Sequence, residues 1–478
     1  MNIREGLTFD DVLLVPKFSD VTSRSQTDLS TQLSRNISIN IPLISANMDT
    51  VTEASMAVTI AREGGIGIIH RFLTIQEEVN EVLKVKRSGS VMIENPYTIN
   101  PEQTIQNAFT TMNEKQVSGL LVVDSNSKLV GILTERDVLF EPPNCSKLVK
   151  DLMTKDVVTA KQGIDLEKSK EILKKNRIEK LPIIDDNNLV KGLITSQDIS
   201  NLEKYPNASK DNKGRPIVGA AVGVKGDFME RTEALIDAGT DAIVVDIAHG
   251  HSENAINTVK NIKKAFPNCE LIAGNVATAK GTEDLIKAGV DAVKVGVGSG
   301  SICITRVITG SGVPQLTAVM DCAKVGNEHD IPIISDGGTR TSGDATKALA
   351  AGASSIMVGG IFGGTDETPG TTITKNNKRF KIYRGMASLA ASMGRKTKET
   401  GTLELTDDIN DYVAEGVEGM VPYKGSVTDI ITQMTGGIRS GLSYCGAHNI
   451  KQMHENAEFI KMSRAGFAES QPHDVNVM

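Results

Sequence analysis

The chain has 478 residues, a formal charge of −7 and a pI near 5.7, too long for one ordinary core and too acidic for a nucleic-acid binder driven by phosphate contacts. Its five cysteines (Cys145, Cys269, Cys303, Cys322, Cys445) are scattered, with no CxxC or Cys/His spacing, which excludes a disulfide framework and a zinc site and points to a reducing cytoplasm. No apolar run reaches the ~18 residues of a membrane span, and MNIREGLTFDD lacks the apolar core of a signal peptide.

In chain order, short apolar runs ending in glycine or polar residues recur eight times. They are IPLISA (41–46), GIGIIH (65–70), PIVGAAV (216–222), AIVVDIA (242–248), LIAGNV (271–276), AVKVGVG (292–298), IPIISDGG (331–338) and SSIMVGG (354–360). Continuous rather than alternating apolar runs are the pattern of strands buried on both faces, as in parallel sheets. Between them, segments such as DFMERTEALIDAG, TAKGTEDLIKAG and SGDATKALAAG read as helices. Each closes in Ala-Gly, with Gly239, Gly289 or Gly352 placed for a left-handed C′ position. Eight β/α units predict an α/β fold, a closed (β/α)8 TIM barrel rather than an open doubly wound sheet.

One connection is too long. About 145 residues separate His70 from Pro216, so a second domain is inserted there. The expected division is barrel over 1–88, insert over 89–206 and barrel again over 207–478, with YPNASKDNKGRP (205–216) as the return linker. Within the insert, LVVDSNSKLVGILTERDV (121–138) matches PIIDDNNLVKGLITSQDI (182–199), with Gly131, Thr134 and Asp137 answering to Gly192, Thr195 and Asp198. This repeat resembles a tandem CBS pair. The resemblance implies that the Thr and Asp contact the ribose of adenine or guanine nucleotides; as ordinary capping residues they would equally serve the helix that follows.

The stretch GSGSICITRVITGSGVPQLTAV (298–319) follows the sixth run and sets Cys303 among Gly298, Gly300, Gly310 and Gly312. Such a loop exposes backbone to a ligand and would present a thiol to it, although most free cysteines are small buried hydrophobes. In a (β/α)8 barrel the loops after strands seven and eight frequently hold phosphate. Here they read Ser335-Asp336-Gly337-Gly338 and Gly359-Gly360, whose amides suffice for a phosphate dianion without any lysine. Asp336 would repel that dianion, which suits it to ribose hydroxyls. Beyond the eighth run, the polar stretch GRKTKETGTLELTDDINDY (394–412) is a candidate mobile lid within 387–415.

GLTFDDVLLVP, SANMDTVTE (45–53), GSGSICITR, SDGG (335–338), YRGMAS (383–388) and AGFAESQPHDV are similar to the IMP dehydrogenase/GMP reductase family over essentially the whole chain, nearest its dehydrogenase branch. The resemblance implies NAD-dependent oxidation of IMP to XMP in guanine nucleotide synthesis, with Cys303 as the nucleophile at C2 of the purine and Thr305 as a partner in proton transfer. By the same resemblance Ser301, Gly337, Gly338, Gly359, Gly360 and Tyr383 are phosphate-side residues and Asp336 is the ribose residue. Met48, Gly385, Met386, Ala387 and Glu415 surround the base, and Asp246, Asn275, Gly296 and Gly298 lie on the nicotinamide side. A potassium site formed by the carbonyls of Gly298, Gly300 and Cys303, completed by Glu469, Ser470 and Gln471 of a neighbouring copy, implies a homotetramer.

The sequence departs from the dehydrogenase pattern in the lid. Dehydrogenases there carry an Arg-Tyr pair whose arginine activates water. Between Met386 and Glu415 this chain has Arg395 alone, followed by Lys396 and Lys398. Either Arg395 or Thr305 with a relay serves as the base, or the chain is a GMP reductase, deaminating GMP with NADPH. Leu389 stands where reductases carry a glutamate, and reductases mostly lack the insert. A third reading, a catalytically weak CBS-type nucleotide sensor, leaves the thiol without purpose.

Overall fold

The computed structural model describes residues 3–89, 92–115, 117–142, 144–389, 391, 393 and 413–472. The chain divides into two compact units, one of 1–86, 207–211 and 216–478, the other of 87–206 and 212–215.

In the larger unit eight parallel strands close into a barrel. They are β1 (Leu43–Ser45), β2 (Ile66–Ile69), β3 (Val218–Val222), β4 (Ala242–Asp246), β5 (Glu270–Val276), β6 (Ala292–Val295), β7 (Ile333–Asp336) and β8 (Ser355–Val358). Each falls in one of the eight apolar runs, with β5 starting one residue ahead of its run. The accompanying helices are α1 (Ala54–Arg62), α2 (Ile75–Arg87), α3 (Phe228–Asp237), α4 (Glu253–Ala265), α5 (Ala279–Ala288), α6 (Gln315–Glu328), α7 (Ser342–Ala350) and α8 (Val427–Tyr444). The expected glycines end their helices at φ of +90° (Gly239), +107° (Gly289) and +104° (Gly352), where a Cβ would be strained.

Strand alternation sorts side chains between two layers. Ile44, Ala242, Val244, Ile272, Ala292 and Ile334 pack together inside the barrel. Their neighbours Val218, Ile243, Val245, Val293 and Val295 pack outward against the helices. Lys294, between Val293 and Val295, is therefore on the interior register, at the end of β6 where a barrel carries its site.

The smaller unit repeats one motif. In the first copy Thr98–Ile99 runs parallel to Gly119–Val123, which pairs antiparallel with Leu129–Thr134; in the second, Ala160–Lys161, Lys180–Ile184 and Val190–Thr195 do the same. Each hairpin turns on an aspartate whose carboxylate accepts backbone N–H groups: Asp124 from Asn126 and Lys128, Asp185 from Asn187 and Leu189. Thr134 donates its N–H and Oγ1 to Asp137 Oδ2 (2.7 and 2.8 Å), and Thr195 Oγ1 donates to Asp198 Oδ2 at 2.5 Å. Both pairs thus serve as local caps of the following helix.

Candidate functional site

Cys303 lies in the loop that leaves β6. Arg306 ties the two ends of that loop, its Nε donating to Val297 O at 3.0 Å and its Nη2 to Val313 O at 2.5 Å. The arginine side chain fills the space that a Cβ on Gly298 would need, and Gly298 sits at φ +75°, so glycine there is a packing requirement.

On its other side the loop pairs with residues 415–417. Ile304 N–H donates to Glu415 O at 2.8 Å and Val417 N–H to Ile302 O at 3.0 Å. This pairing delivers the Glu415 carboxylate to Thr305, whose Oγ1 donates to Oε2 at 2.7 Å; Cys303 Sγ lies 3.1 Å from the same Oγ1. Thr305 has one hydroxyl hydrogen, and Glu415 receives it. Its oxygen is therefore an acceptor toward sulfur and the thiol is the donor, so a proton path runs from Cys303 through Thr305 to Glu415.

Below the loop lies Lys294, with a side chain only 2% exposed. Its Nζ donates to Asp246 Oδ1 and Asp336 Oδ2, both at 2.8 Å, and to Asn275 Oδ1. Asn275 Nδ2 in turn donates to Asp336 Oδ2 at 2.9 Å and to Gly296 O at 2.7 Å. Burial alone would lower the pKa of Lys294, but the two carboxylates outweigh it and hold it above the ordinary value. Burial pushes Asp246 upward and Lys294 pulls it down further, leaving it lowered. Room for the lysine comes from Gly274, where a Cβ would stand 2.7 Å from that of Lys294.

These groups line a cavity of about 420 Å³ that also contains Met48, Gly296, Gly298, Gly300, Gly337, Tyr383, Gly385, Met386 and Ala387. A second cavity, about 880 Å³, shares Met48, Gly300, Asp336, Gly337 and Tyr383 with it and adds Ser301, Gly338, Gly359 and Gly360. Burial pushes the Tyr383 phenol upward, against a hydrogen bond with Ser301. A third, about 710 Å³, adjoins the first at Arg71, Phe72, Asp246 and Ile247 and continues to Gly223 and Lys225. All are in the size range of small-ligand sites.

The fold thus gathers the predicted residues from Met48 to Glu415 into adjoining cavities, with Arg395 outside the described residues together with the rest of 394–412. Glu469, Ser470 and Gln471, at the end of the helix Arg464–Glu469, line none of the three cavities. Among the described residues the carbonyls of Gly298 and Cys303 accept no hydrogen bond, whereas Gly300 O takes Cys303 N–H at 3.1 Å. No helix among the described residues is long and apolar enough to cross a membrane.

Three cations at these cavities carry no motif in the sequence. Lys294 was hidden in an apolar run, where only its register with Ala292 and Gly296 betrays an interior position. Arg71 follows His70, whose Nδ1 accepts Phe72 N–H at 3.2 Å and whose Nε2 therefore carries its hydrogen toward Glu53. Lys424 stands on the wall of the second cavity, with Ser301, Gly338, Gly359 and Gly360, and no motif marks it.

Residues 6–473 match the family model described as IMP dehydrogenase / GMP reductase domain. The chain is 77% identical over 478 residues to the inosine-5'-monophosphate dehydrogenase of Nitrosopumilus maritimus, with 100% of both chains covered. It is 53% identical to that of Aquifex aeolicus, over 99% of this chain and 96% of the other. A GMP reductase variant from Trypanosoma brucei, solved in complex with guanosine 5'-monophosphate, superposes with a TM-score of 0.92 at 44% identity, covering 99% of each chain. That reductase is matched over nearly all of its length, so possession of the insert does not separate the two activities. Matched from residue 6 to residue 473 and at these identities over full-length relatives, the chain belongs to the IMP dehydrogenase/GMP reductase family.

Proposed function

We propose that this chain oxidises IMP to XMP with NAD as hydride acceptor, through a covalent adduct on Cys303. The observation that carries the reading is the Cys303–Thr305–Glu415 path, set in one cavity with Asp246 and Asn275 and beside another that carries Gly359 and Gly360. The direction of the reaction rests on the 77% identical dehydrogenase.

The thiol proton leaves through Thr305 to Glu415, and the thiolate forms a bond to C2 of the hypoxanthine. When bound, NAD accepts the hydride that C2 expels, and a thioimidate on Cys303 remains. Once Glu415 has released that proton to solvent, water adds to C2 with its proton passing through Thr305 to Glu415, and cleavage of the C–S bond releases XMP and a thiolate that takes this second proton back through Thr305. The net change is IMP, NAD and water to XMP, NADH and a proton. Asp336 uses Oδ2 for Lys294 and Asn275, leaving Oδ1 for ribose hydroxyls. Asp246 and Asn275 are oriented for the nicotinamide side by the same lysine, and the cavity reaching Lys225 offers space for the remainder of the dinucleotide.

Potassium is assigned to the carbonyls of Gly298, Gly300 and Cys303; the open lone pairs of Gly298 and Cys303 suit a monovalent cation. Glu469, Ser470 and Gln471 of a second copy would complete it in a homotetramer. The insert, 89–206, is assigned as a tandem CBS pair for adenine or guanine nucleotides on the strength of its duplicated hairpin, and its five free cysteines support a reducing cytoplasm as the compartment.

The test supplies purified protein with IMP, NAD and potassium, and separately with GMP and NADPH, following absorbance of the reduced cofactor. Cofactor reduction in the first mixture alone is expected. Oxidation in the second alone would transfer the chain to the reductase reading, which the Trypanosoma brucei likeness favours. Silence in both, with nucleotide still bound, would leave the sensor.

A further inference from the structure

The turn after β8 offers its amides to one side and its carbonyls to the other. Phe362 and Gly363 donate their N–H groups to Gly359 O at 3.1 and 2.9 Å, while the amides of Gly360 and Ile361 donate to no carbonyl among the described residues. A Cβ on Gly359 would stand 3.0 Å from Tyr383 Oη, and one on Gly360 2.9 Å from Ser301 Oγ, so two hydroxyls crowd the same face. Behind the turn, Lys424 Nζ donates to Gly360 O and to Ile361 O, each at 2.9 Å. In a trans peptide the N–H points opposite its C=O, so the bond to Gly360 O turns Ile361 N–H away from the lysine.

Charge balance around this cavity is uneven. Arg340, also on its wall, is engaged by Asp10 and Asp344. Lys424 has no carboxylate partner among the described residues, and two neutral carbonyls leave its charge uncompensated. In a chain of net charge −7, a cation fixed to a donor-rich turn without an acid beside it calls for an anion from outside.

We propose that Lys424 is a positioning residue for the phosphate of the bound purine nucleotide. It holds the Gly360–Ile361 peptide plane from behind, polarises its N–H toward the phosphate, and contributes the positive charge that the dianion neutralises. The proposal rests on the nucleotide reading given above but not on the direction of the reaction, because IMP and GMP carry the same phosphate.

The experiment compares wild type, Lys424→Met and Lys424→Arg as full chains, measuring kcat, KM for IMP and for NAD, and the inhibition constant of ribose 5-phosphate. Lys424→Met is expected to raise KM for IMP and the inhibition constant of ribose 5-phosphate by about tenfold each, with kcat and KM for NAD held within about twofold. Lys424→Arg, which keeps the charge, should recover most of the loss. A staple that merely joins two segments would disturb kcat and the NAD term as well, and would not single out a phosphate ligand that has no base. Unchanged constants for both phosphate ligands, or losses spread equally over NAD, overturn the proposal. If Lys424→Met melts early, Lys424→Gln, with a donor but no charge, is read by the same criteria. Should wild type turn over GMP instead of IMP, the functional reading fails while ribose 5-phosphate still tests Lys424.

Discussion

Replacing Lys294 by methionine keeps the length of the side chain and removes the cation that two carboxylates share. Asp246 Oδ1 and Asp336 Oδ2 each lie 2.8 Å from its Nζ, so they are at most about 5.6 Å apart. Without the ammonium, two unit charges at that separation repel by about 3 kcal/mol at an effective dielectric near 20. Removing one partner from a buried cluster of this kind costs about 3–5 kcal/mol. The variant relieves the strain by protonating one carboxyl, so its pH dependence reverses. In wild type the lowered pKa of Asp246 makes a contribution that is complete above the ordinary carboxylate range and is lost as pH falls through the lowered value. In Lys294→Met burial, no longer offset by the ammonium, raises Asp246, so stability increases as pH falls. Thermal melts of both proteins from pH 5 to 8 check this, with KM for IMP and NAD measured in parallel. Both KM values should rise together on the proposed assignment of Asp336 to the substrate and Asp246 to the cofactor. A variant that melts with wild type at pH 8 and keeps both KM values would refute the reasoning.

Cys303→Ala should bind IMP in calorimetry yet lose turnover by at least about a thousandfold; measurable steady-state turnover would remove it as nucleophile. Glu415→Gln should slow NADH formation in the first turnover as well as the steady state, each by about a hundredfold or more, since the relay takes the thiol proton before hydride leaves and is needed again for hydrolysis; a first turnover at the wild-type rate would remove Glu415 from the activation of the thiol. Arg395→Ala probes the other base, and unchanged hydrolysis would remove it from that role. Burial holds the Glu78 carboxyl at about 8, against Arg231 beside it. Its folded pKa exceeds the ordinary 4.5, so its contribution is complete below that value and lost as pH rises toward 8. Comparing melts of wild type and Glu78→Gln across pH 5 to 8 should show a shallower decline in the variant, and parallel curves would count against the assignment.

The barrel was legible because strands buried on both faces need continuous apolar runs, and eight of them left little choice of architecture. Glycines at 239, 289 and 352 marked helix ends for the same local reason that the structure gives them positive φ. Residues that act across sequence distance were harder to read. Lys294 sits in a run that looks uniformly apolar, and its role depends on Asp246 and Asp336, forty-odd residues away on either side. Lys424 acts on a turn 63 residues earlier, with no pattern of its own. Thr134 and Asp137 show the opposite limit: a motif that served two readings equally well is seen making a cap.

The relay also bears on why one scaffold serves two reactions. On the proposed route, oxidation of IMP and reduction of GMP would share the attack of a thiolate on C2, and both would need a proton moved near that carbon after the adduct forms. Thr305, fixed between Cys303 and Glu415, is placed to pass a proton in either direction. The likeness of the Trypanosoma brucei reductase in fold therefore carries no conflict with dehydrogenase relatives at higher identity. On the proposed route the cysteine loop would set up the adduct, and what reaches C2 afterwards would select the product. The backbone pairing of residues 302 and 304 with 417 and 415 is what brings Glu415 to Thr305, so on the proposed route proton transfer depends on a contact between two separate loops.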